Sequence, residues 1–596
     1  MVDKTVKEDL RTFCVLIERY GVLESGVRDV FKEYLRAEKA GFRRFKPLSR
    51  SIRLHDDALY CVADVDGCEK AVCVVKTPDK APKVFREESP IRFGEYIVYM
   101  VDFNVENLRK LVAEKPELGP RSLRGYPRLG LGVRMLFTLP PLIDALKELD
   151  VLSDFQLSAG REFSLREVVD AKPGLYPEWL GHTGLDAERL YNTIAMECFK
   201  GGLEAYGTEI DHLIITRQTA RALTRILTHG EGSAEEGLED LESSMNYNRR
   251  IIDEASATGF VKGITVDASD LIRYEFMDPD RWPREAVRRR FMEEFDGEAE
   301  QVLDTVKPGH TYKIGSYELV FTEEEVMRIA LKYRLCLLKV KELYEYFRSK
   351  VGEDFTYELS LDETPELTEP KELFYCLSEC SRMGMPVDLV APNVGFFKRE
   401  DYPGRLDELE ERVRVLSAIA ERFDAVLDFH SGSDKRAEVY RAVSRACGGR
   451  LKLKMSTIYQ LKYFETLAEF PEGSEERRLF EEIWDYTLDY VKRRASEGDE
   501  VAKRQLEEVL KRMGKPGFVK KPDDDFFRYY SFIVVNAKKP SGERIFKERL
   551  YRLASKKEVR ERYRRKVFEV TKMVAEALGL LGSRSGYLAS RSARNR

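Results

Sequence analysis

Short apolar runs alternate with longer amphipathic stretches through the middle of the chain. Eight runs are strand-like, and stretches with helical apolar spacing separate them. They lie at 130–138, 152–158, 211–216, 261–267, 355–362, 387–392, 425–430 and 450–456. This alternation indicates a parallel sheet with crossover helices, and the count of eight predicts an α/β fold of the (β/α)8 TIM-barrel type. An open doubly wound sheet stays the alternative, because two long and mostly helical insertions, 160–205 and 272–350, make the spacing uneven.

The two ends of the chain have patterns of their own. Residues 1–120 read as a small α/β region, with helical spacing over 8–38 and short strands at 59–64, 71–76 and 96–102. The barrel with its insertions is assigned to 121–465. Residues 466–582 combine helical apolar spacing with acid–base pairs four residues apart and predict a helical extension. The small, polar and basic segment 583–596 is predicted to be a disordered tail.

Composition narrows the class of protein. Of the 596 residues, 100 are basic and 105 acidic, and this near balance argues against a nucleic-acid partner. The first residues contain no apolar signal segment, and no apolar run is long enough to span a membrane, so we expect a cytoplasmic protein without membrane association. Nine cysteines without a CxxC pair predict neither a disulfide framework nor a structural zinc site. The sequence does not indicate an oligomeric state.

Two histidines stand at the ends of predicted strands, where a parallel barrel builds its active site. His212 follows Asp211 on the third strand; a histidine that is merely hydrogen-bonded in the core remains the alternative there. His430 ends the predicted seventh strand and shares a strand face with Asp428. The turn after it, Ser-Gly-Ser, has backbone N–H groups that can bind an anion. We therefore favour a site around His430.

Charged side chains on other predicted strands face the same rim. Glu358 and Asp362 share one face of the fifth strand, which should point into the barrel because the apolar face must meet the outer helices. Buried carboxylates are costly unless they are paired or bind a metal, so they suggest function. Asp267 ends the fourth strand, and Arg134 after the first strand suits a bidentate contact with a substrate carboxylate.

At these residues the chain resembles the tagaturonate/fructuronate epimerase family. The resemblance covers about 125–465. It is carried by Gly207-Thr-Glu-Ile-Asp-His212, Val266-Asp-Ala-Ser-Asp270, Tyr357-Glu-Leu-Ser-Leu-Asp-Glu-Thr-Pro365, Ala391-Pro-Asn-Val-Gly395 and, most specifically, His430-Ser-Gly-Ser-Asp-Lys435. Members of that family interconvert D-tagaturonate and D-fructuronate by inverting C4 with the help of a divalent metal.

The resemblance implies roles for individual residues. Asp211 would be the proton acceptor and Glu358 the proton donor, and His212 and His430 would be ligands of a divalent cation such as Zn, Mn, Ni or Fe. The ligand would be a small-molecule sugar acid. Other polar residues of the rim are candidates for substrate binding: Arg134, Asp267, Asp362, Ser431, Asp434, Lys435 and Lys454.

Three departures from the family pattern keep other functions open. Phe396 stands where an acidic residue is usual, so that a ligand from this loop is either lost or replaced by Glu400 or Asp401. Lys452 replaces a histidine on the eighth strand, and Gly132-Val-Arg134 replaces Gly-Asp-Arg. The alternatives are a metal-dependent sugar-acid aldolase, which would release cleavage products, and a non-catalytic sugar-binding paralogue, which would not retain metal.

Overall fold

The computed structural model describes residues 3–27, 29–36, 41–216, 238–398 and 400–594. Parts of the predicted N-terminal helical region (28, 37 and 38) and of the predicted tail (595 and 596) lie outside these ranges. The chain forms two compact units. The first comprises Met1–Arg121, Tyr191–Tyr206 and Thr258–Phe260, and the second comprises Ser122–Leu190, Gly207–Ala257 and Val261–Arg596.

The first unit contains an antiparallel sheet in the order β1-β3-β4-β6-β5, with β2 paired to β3. Apolar residues of the first helix recur every three or four positions, and Phe13 and Ile17 are buried in a core with Val72 and Val74 of the sheet. The three predicted strands of this region are confirmed. The strands are β1 Phe45–Pro47, β2 Arg53–His55, β3 Ala58–Val65, β4 Cys68–Val75, β5 Ile91–Phe93 and β6 Tyr96–Asp102, and the helices before Arg121 are Lys4–Arg19, Val22–Ser25, Asp29–Arg36, Lys83–Arg86 and Val105–Glu114.

Eight parallel strands of the second unit close into a barrel in the order β10-β13-β14-β15-β16-β7-β8-β9. Each overlaps one of the eight predicted runs, so the predicted TIM-type barrel is confirmed and the open sheet is excluded. The strands are β7 Arg128–Gly132, β8 Ser153–Ser158, β9 Gly207–Ile214, β10 Gly263–Asp267, β13 Thr356–Leu361, β14 Leu389–Pro392, β15 Val426–Phe429 and β16 Leu451–Met455.

Helices connect the barrel strands. The longest begins with a capping box, in which Thr322 accepts a hydrogen bond from the backbone of Glu325 and the Glu325 carboxylate accepts one from the backbone of Thr322. The helices are Leu139–Glu148, Arg166–Val169, Ala187–Gly201, Leu238–Ala257, Arg284–Glu294, Ala299–Thr305, Glu323–Val351, Pro370–Arg382, Leu406–Arg422, Ala437–Ala446 and Thr457–Ala468.

The first of the two insertions is less helical than predicted, whereas the second is mostly helical, as predicted. The helices of the first between 160 and 205 are Arg166–Val169 and Ala187–Gly201, because Pro173, Gly174 and Pro177 interrupt the helical spacing between them. The second contains an antiparallel hairpin of β11 Thr311–Ile314 and β12 Tyr317–Val320 before its long helix. Turn-forming Gly315 has a φ of 58°, which glycine adopts without strain.

The C-terminal extension is helical, as its spacing predicts. Its helices are Glu475–Ser496, Glu500–Met513, Asp525–Tyr530, Lys547–Ser555, Lys557–Leu578 and Ser583–Arg594. The prediction of a disordered tail is wrong for 583–594, which form the last of them. The polar composition of this segment suggested disorder, but Tyr587 is fully buried, and its ring meets that of Tyr126 edge-on at 4.8 Å. In the part of the chain that the structure describes, no helix is both long and apolar enough to cross a membrane.

Candidate active site

A cavity of about 150 Å³ opens where the barrel strands end at their carboxyl termini. This is the end of a parallel barrel at which the βα loops assemble active sites. The cavity is lined by Gly132, Arg134, Gln156, Ser158, Arg161, Glu162, Trp179, His182, Asp211, His212, Lys398, His430, Ser431, Ser433, Lys454, Met455, Ser456, Thr457, Tyr529 and Phe532.

A β-bulge in β9 turns two consecutive side chains toward this cavity. Ile264 of β10 pairs with Ile210, whereas Val266 pairs with Leu213, so Asp211 and His212 together oppose a single residue of β10. His212 has a φ of 48°. In a regular strand neighbours face opposite sides, but the extra residue of a bulge re-aims the chain. A left-handed backbone at a non-glycine residue costs about 1–3 kcal/mol and is concentrated at functional sites.

The rings of His212 and His430 meet at the cavity floor. Their centroids are 4.5 Å apart with an interplanar angle of 63°. Each ring has a carboxylate beside Nδ1: Asp362 Oδ1 lies 2.9 Å from His430, and Asp267 Oδ2 lies 3.4 Å from His212. The predicted meeting of the third and seventh strands' imidazoles is therefore confirmed, whereas two of the candidate substrate ligands contact histidines.

The donor atoms of this group fit a divalent cation. Ligand atoms of Asp211, His212 and His430 all lie within 4.8 Å of one another, and all three residues are buried. Nδ1 of His212 is buried without a hydrogen-bond partner among the described residues. Imidazole nitrogens with a carboxylate oxygen suit Zn, Mn, Fe or Ni, and carboxylates commonly orient metal-binding histidines through the second ring nitrogen.

Ion pairs fill the barrel interior beneath the histidines, where aliphatic side chains are usual. The Lys452 ammonium group lies 2.8 Å from Glu209, 2.9 Å from Glu358 and 3.1 Å from Asp428, and it is fully buried. Lys454 contacts Asp211, and its Nζ lies 3.2 Å from Glu358. Paired charges are the arrangement that makes buried ionic groups tolerable.

These pairs set the pKa values of the buried acids. Burial alone would raise the pKa of Glu358, but the charges of Lys452 and Lys454 lower it well below its usual value. Burial likewise opposes the charge of Lys454 at Asp211, and the net effect lowers the pKa of Asp211. At Glu209 burial prevails over the attraction of Lys452 and raises the pKa to about 7.

The structure brings together some of the predicted substrate ligands. Arg134, Ser431 and Lys454 line the cavity. Asp434 and Lys435 do not. The Asp434 carboxylate lies 3.2 Å from Arg528, and the Lys435 ammonium donates to backbone carbonyl oxygens, including that of Phe397 at 2.9 Å. Both side chains are therefore used to hold loops.

The loop after β14 supplies no metal ligand among the residues that the structure describes. Phe396 packs against the ring of Phe429 at 5.9 Å. Asp401 accepts a hydrogen bond from the backbone of Arg436 at 3.1 Å, and neither it nor Glu400 belongs to a group with metal-binding geometry. The two residues considered as replacement ligands are thus not placed at the histidines.

Several cavity residues were missed by the sequence analysis. Arg161 and Glu162 lie just after β8, so the rule that found His212 would also have indicated them. Tyr529 and Phe532 belong to the helical extension, and Trp179 to a long loop, so no strand-end signal marks them. Glu209 faces the interior two residues before Asp211, and its partner Lys452 was noted only as a departure from the family.

The chain is similar to known proteins in sequence and in fold. A family model described as tagaturonate epimerase matches residues 248–574, more than half of the chain. The tagaturonate/fructuronate epimerase of Thermotoga maritima is 24% identical over 432 residues, which are 71% of this chain and 75% of that protein. The crystal structure of a fructuronate-tagaturonate epimerase from Cohnella laeviribosi with two glycerols has a TM-score of 0.61 at 19% identity, over 92% of this chain and 98% of that one. The native structure gives 0.60 at 19% identity, over 92% and 100%.

The likeness to the solved structures supports the barrel fold, and the family match covers β10 and β13–β16 together with most of the extension. The expected family resemblance is confirmed: the chain belongs to the tagaturonate epimerase family, a family of isomerases.

Proposed function

We propose that the protein is a divalent-metal-dependent epimerase that interconverts D-tagaturonate and D-fructuronate by inverting C4. The observation that carries the proposal is the meeting of His212, His430 and Asp211 at the cavity floor, with a carboxylate beside each imidazole. The substrate pair comes from the family and from the names of the relatives.

His212 and His430 would hold the cation, with Asp362 orienting the ring of His430 through the hydrogen bond at Nδ1. When bound, the cation supplies a Lewis acid that polarises the keto oxygen of the substrate. A role in orienting the His430 ring replaces the substrate-binding role expected of Asp362, and Asp267 lies beside Nδ1 of His212.

Asp211 and Glu358 would exchange protons with the substrate. C4 lies one bond beyond the carbon that the ketone acidifies, so enolisation alone cannot invert it, whereas breaking and remaking the C3–C4 bond can. Asp211 would take the C4 hydroxyl proton as that bond breaks, and the new C4 oxygen would receive a proton from Glu358 when the bond re-forms.

Lys454 connects these two carboxylates. Its ammonium group contacts both Asp211 and Glu358. Because the pKa values of both acids are lowered, both are ionised at rest, and the proton that Glu358 must deliver would come from Lys454. Return of the proton from Asp211 to Lys454 restores the starting state with no net proton change.

A direct test is incubation of the chelator-treated protein with D-tagaturonate or D-fructuronate and with Mn²⁺, Zn²⁺, Ni²⁺ or Fe²⁺, followed by NMR. The expected result is formation of the other epimer in both directions, with loss of conversion in Glu358→Gln. Three-carbon fragments instead of an epimer would identify an aldolase. No conversion with any metal, together with less than half an equivalent of retained metal, would identify a non-catalytic protein.

A further inference from the structure

The cavity wall carries more basic than acidic side chains. Among lysines, arginines and carboxylates that line it, Arg134, Arg161, Lys398 and Lys454 are basic, and only Glu162 and Asp211 are acidic. Lys454 is paired with Asp211. The cavity therefore favours an anionic ligand, which must be bound by a basic side chain that is not already neutralised.

Arg134, the arginine expected to bind a substrate carboxylate, is already occupied. Its Nε donates to Glu162 Oε1 at 2.7 Å and to Ser456 Oγ at 3.0 Å, and its Nη1 donates to Gln460 Oε1 at 3.3 Å. Burial would raise the pKa of Glu162, but the charge of Arg134 lowers it to about 2, so this pair stays ionised and neutralised. Arg134 thus supplies no free charge to a ligand.

Arg161 and Lys398 share one carboxylate. Arg161 Nη1 and Lys398 Nζ lie 3.0 and 2.8 Å from the same Oε1 atom of Glu363. Arg161 Nε is buried and has no hydrogen-bond partner in the described part of the chain. Two cations facing one anion leave one positive charge, and the guanidinium group has an unused donor.

This excess charge adjoins the proposed reaction centre. A carboxylate oxygen of Glu363 lies within 4.8 Å of a ring nitrogen of His212. Both Arg161 and Lys398 line the same cavity as His212 and Asp211. An anionic group bound by the two cations would therefore hold the adjoining carbons of its molecule beside the imidazoles.

We propose that Arg161 and Lys398 form the subsite that binds the carboxylate of an open-chain sugar acid, with Glu363 holding the two side chains in place. Arg161 offers the planar donors that suit a carboxylate, and Lys398 adds charge. The inference rests on the proposed function for the identity of the substrate, but carboxylate binding is measurable without turnover.

The test compares an acidic with a neutral six-carbon ligand. Calorimetric titrations with D-gluconate and with D-glucitol are made on the wild-type protein, Arg161→Gln, Lys398→Gln and the control Arg405→Gln, which removes an exposed arginine paired with Asp407. Loss of a charged hydrogen bond corresponds to about a 10- to 100-fold loss of affinity. We expect that loss for D-gluconate in Arg161→Gln, a smaller one in Lys398→Gln, and none for D-glucitol or in the control.

The proposal is overturned if D-gluconate does not bind, if its affinity is independent of both cations, or if both ligands weaken equally. Lys398→Gln carries the test should Arg161→Gln not fold. Absence of epimerisation together with cation-dependent D-gluconate binding would refute the proposed reaction and leave the subsite standing. Where epimerisation occurs, KM for D-fructuronate should rise in Arg161→Gln by the same factor as the dissociation constant.

Discussion

Lys452→Met removes the ammonium group that neutralises the acids in the middle of the barrel. Its Nζ lies within 3.1 Å of three carboxylates, those of Glu209, Glu358 and Asp428. Removing one partner of a buried ionic group costs about 3–5 kcal/mol, because charge is left uncompensated in a medium of low dielectric constant. The expected consequence is a less stable protein that still folds.

The melting temperature gives the size of the effect. Unfolding entropy is about 2.1 cal/mol/K per residue, so this chain of 596 residues has roughly 1.3 kcal/mol/K. The loss therefore corresponds to a melting temperature lowered by about 2–4 °C, measured by differential scanning calorimetry. Lys492→Met is the control: this lysine forms an exposed pair with Asp489 at 2.9 Å, and its loss should leave the melting temperature unchanged.

A second substitution tests the cause. Burial raises the pKa of Glu209 to about 7 although Lys452 attracts its carboxylate. Glu209→Gln should destabilise the wild-type protein, because it breaks the ion pair with Lys452, and it should cost less stability in Lys452→Met, where that ion pair is already absent. Equal melting temperatures for Lys452→Met and Lys492→Met, or an equal loss from Glu209→Gln in both backgrounds, would refute the reasoning.

Four further outcomes are expected. His212→Ala and His430→Ala should lose divalent metal, measured by plasma mass spectrometry, with unchanged circular dichroism. Glu358→Gln should keep the metal but lose turnover. Lys454→Met should bind Mn²⁺ more tightly in a chelator competition, because the Lys454 ammonium group contacts the proposed ligand His430 and the neighbouring carboxylate of Asp211; unchanged affinity would contradict this. Glu162→Gln should destabilise the protein most above pH 4.5 and progressively less toward pH 2. The reason is that folding lowers the pKa of the wild-type carboxyl from 4.5 to about 2, so that its stabilising charge is lost over that range. Melting temperatures of both proteins measured against pH test this.

The sequence was sufficient for the barrel and for the position of the two histidines. The apolar period of each strand and the number of strands can be read from the sequence. Because βα loops build the active site of such a barrel, a residue at a strand end can then be assigned to that site. The sequence was not sufficient to predict that Tyr529 and Phe532 line the cavity, since their position depends on the packing of helices far along the chain. Tyr587 shows the same limit, because a single buried ring outweighed the polar composition of its segment.

The bulge at His212 marks a different kind of limit. Strict alternation would place Asp211 and His212 on opposite faces of β9, and only one of them could then reach the cavity. The inserted residue is visible in the pairing with β10 and not in the pattern of β9 itself. Two consecutive strand residues can therefore both face the cavity only if the strand is distorted, and hydrophobic periodicity does not predict such a bulge.

The need to neutralise buried charges, by contrast, can be read from the sequence once the pairing of the strands is known. Lys452 and Lys454 alternate with Leu451, Leu453 and Met455, so the period of β16 places both lysines on the inner face. A buried ammonium group requires a carboxylate nearby, and Asp428 is the residue registered directly opposite Lys452. In the closed barrel, Glu209 and Glu358 also point inward, and their carboxylates contact the same ammonium group. Lys452, which stands where the family resemblance leads one to expect a histidine, therefore introduces a positive charge that the carboxylates of Glu209, Glu358 and Asp428 balance.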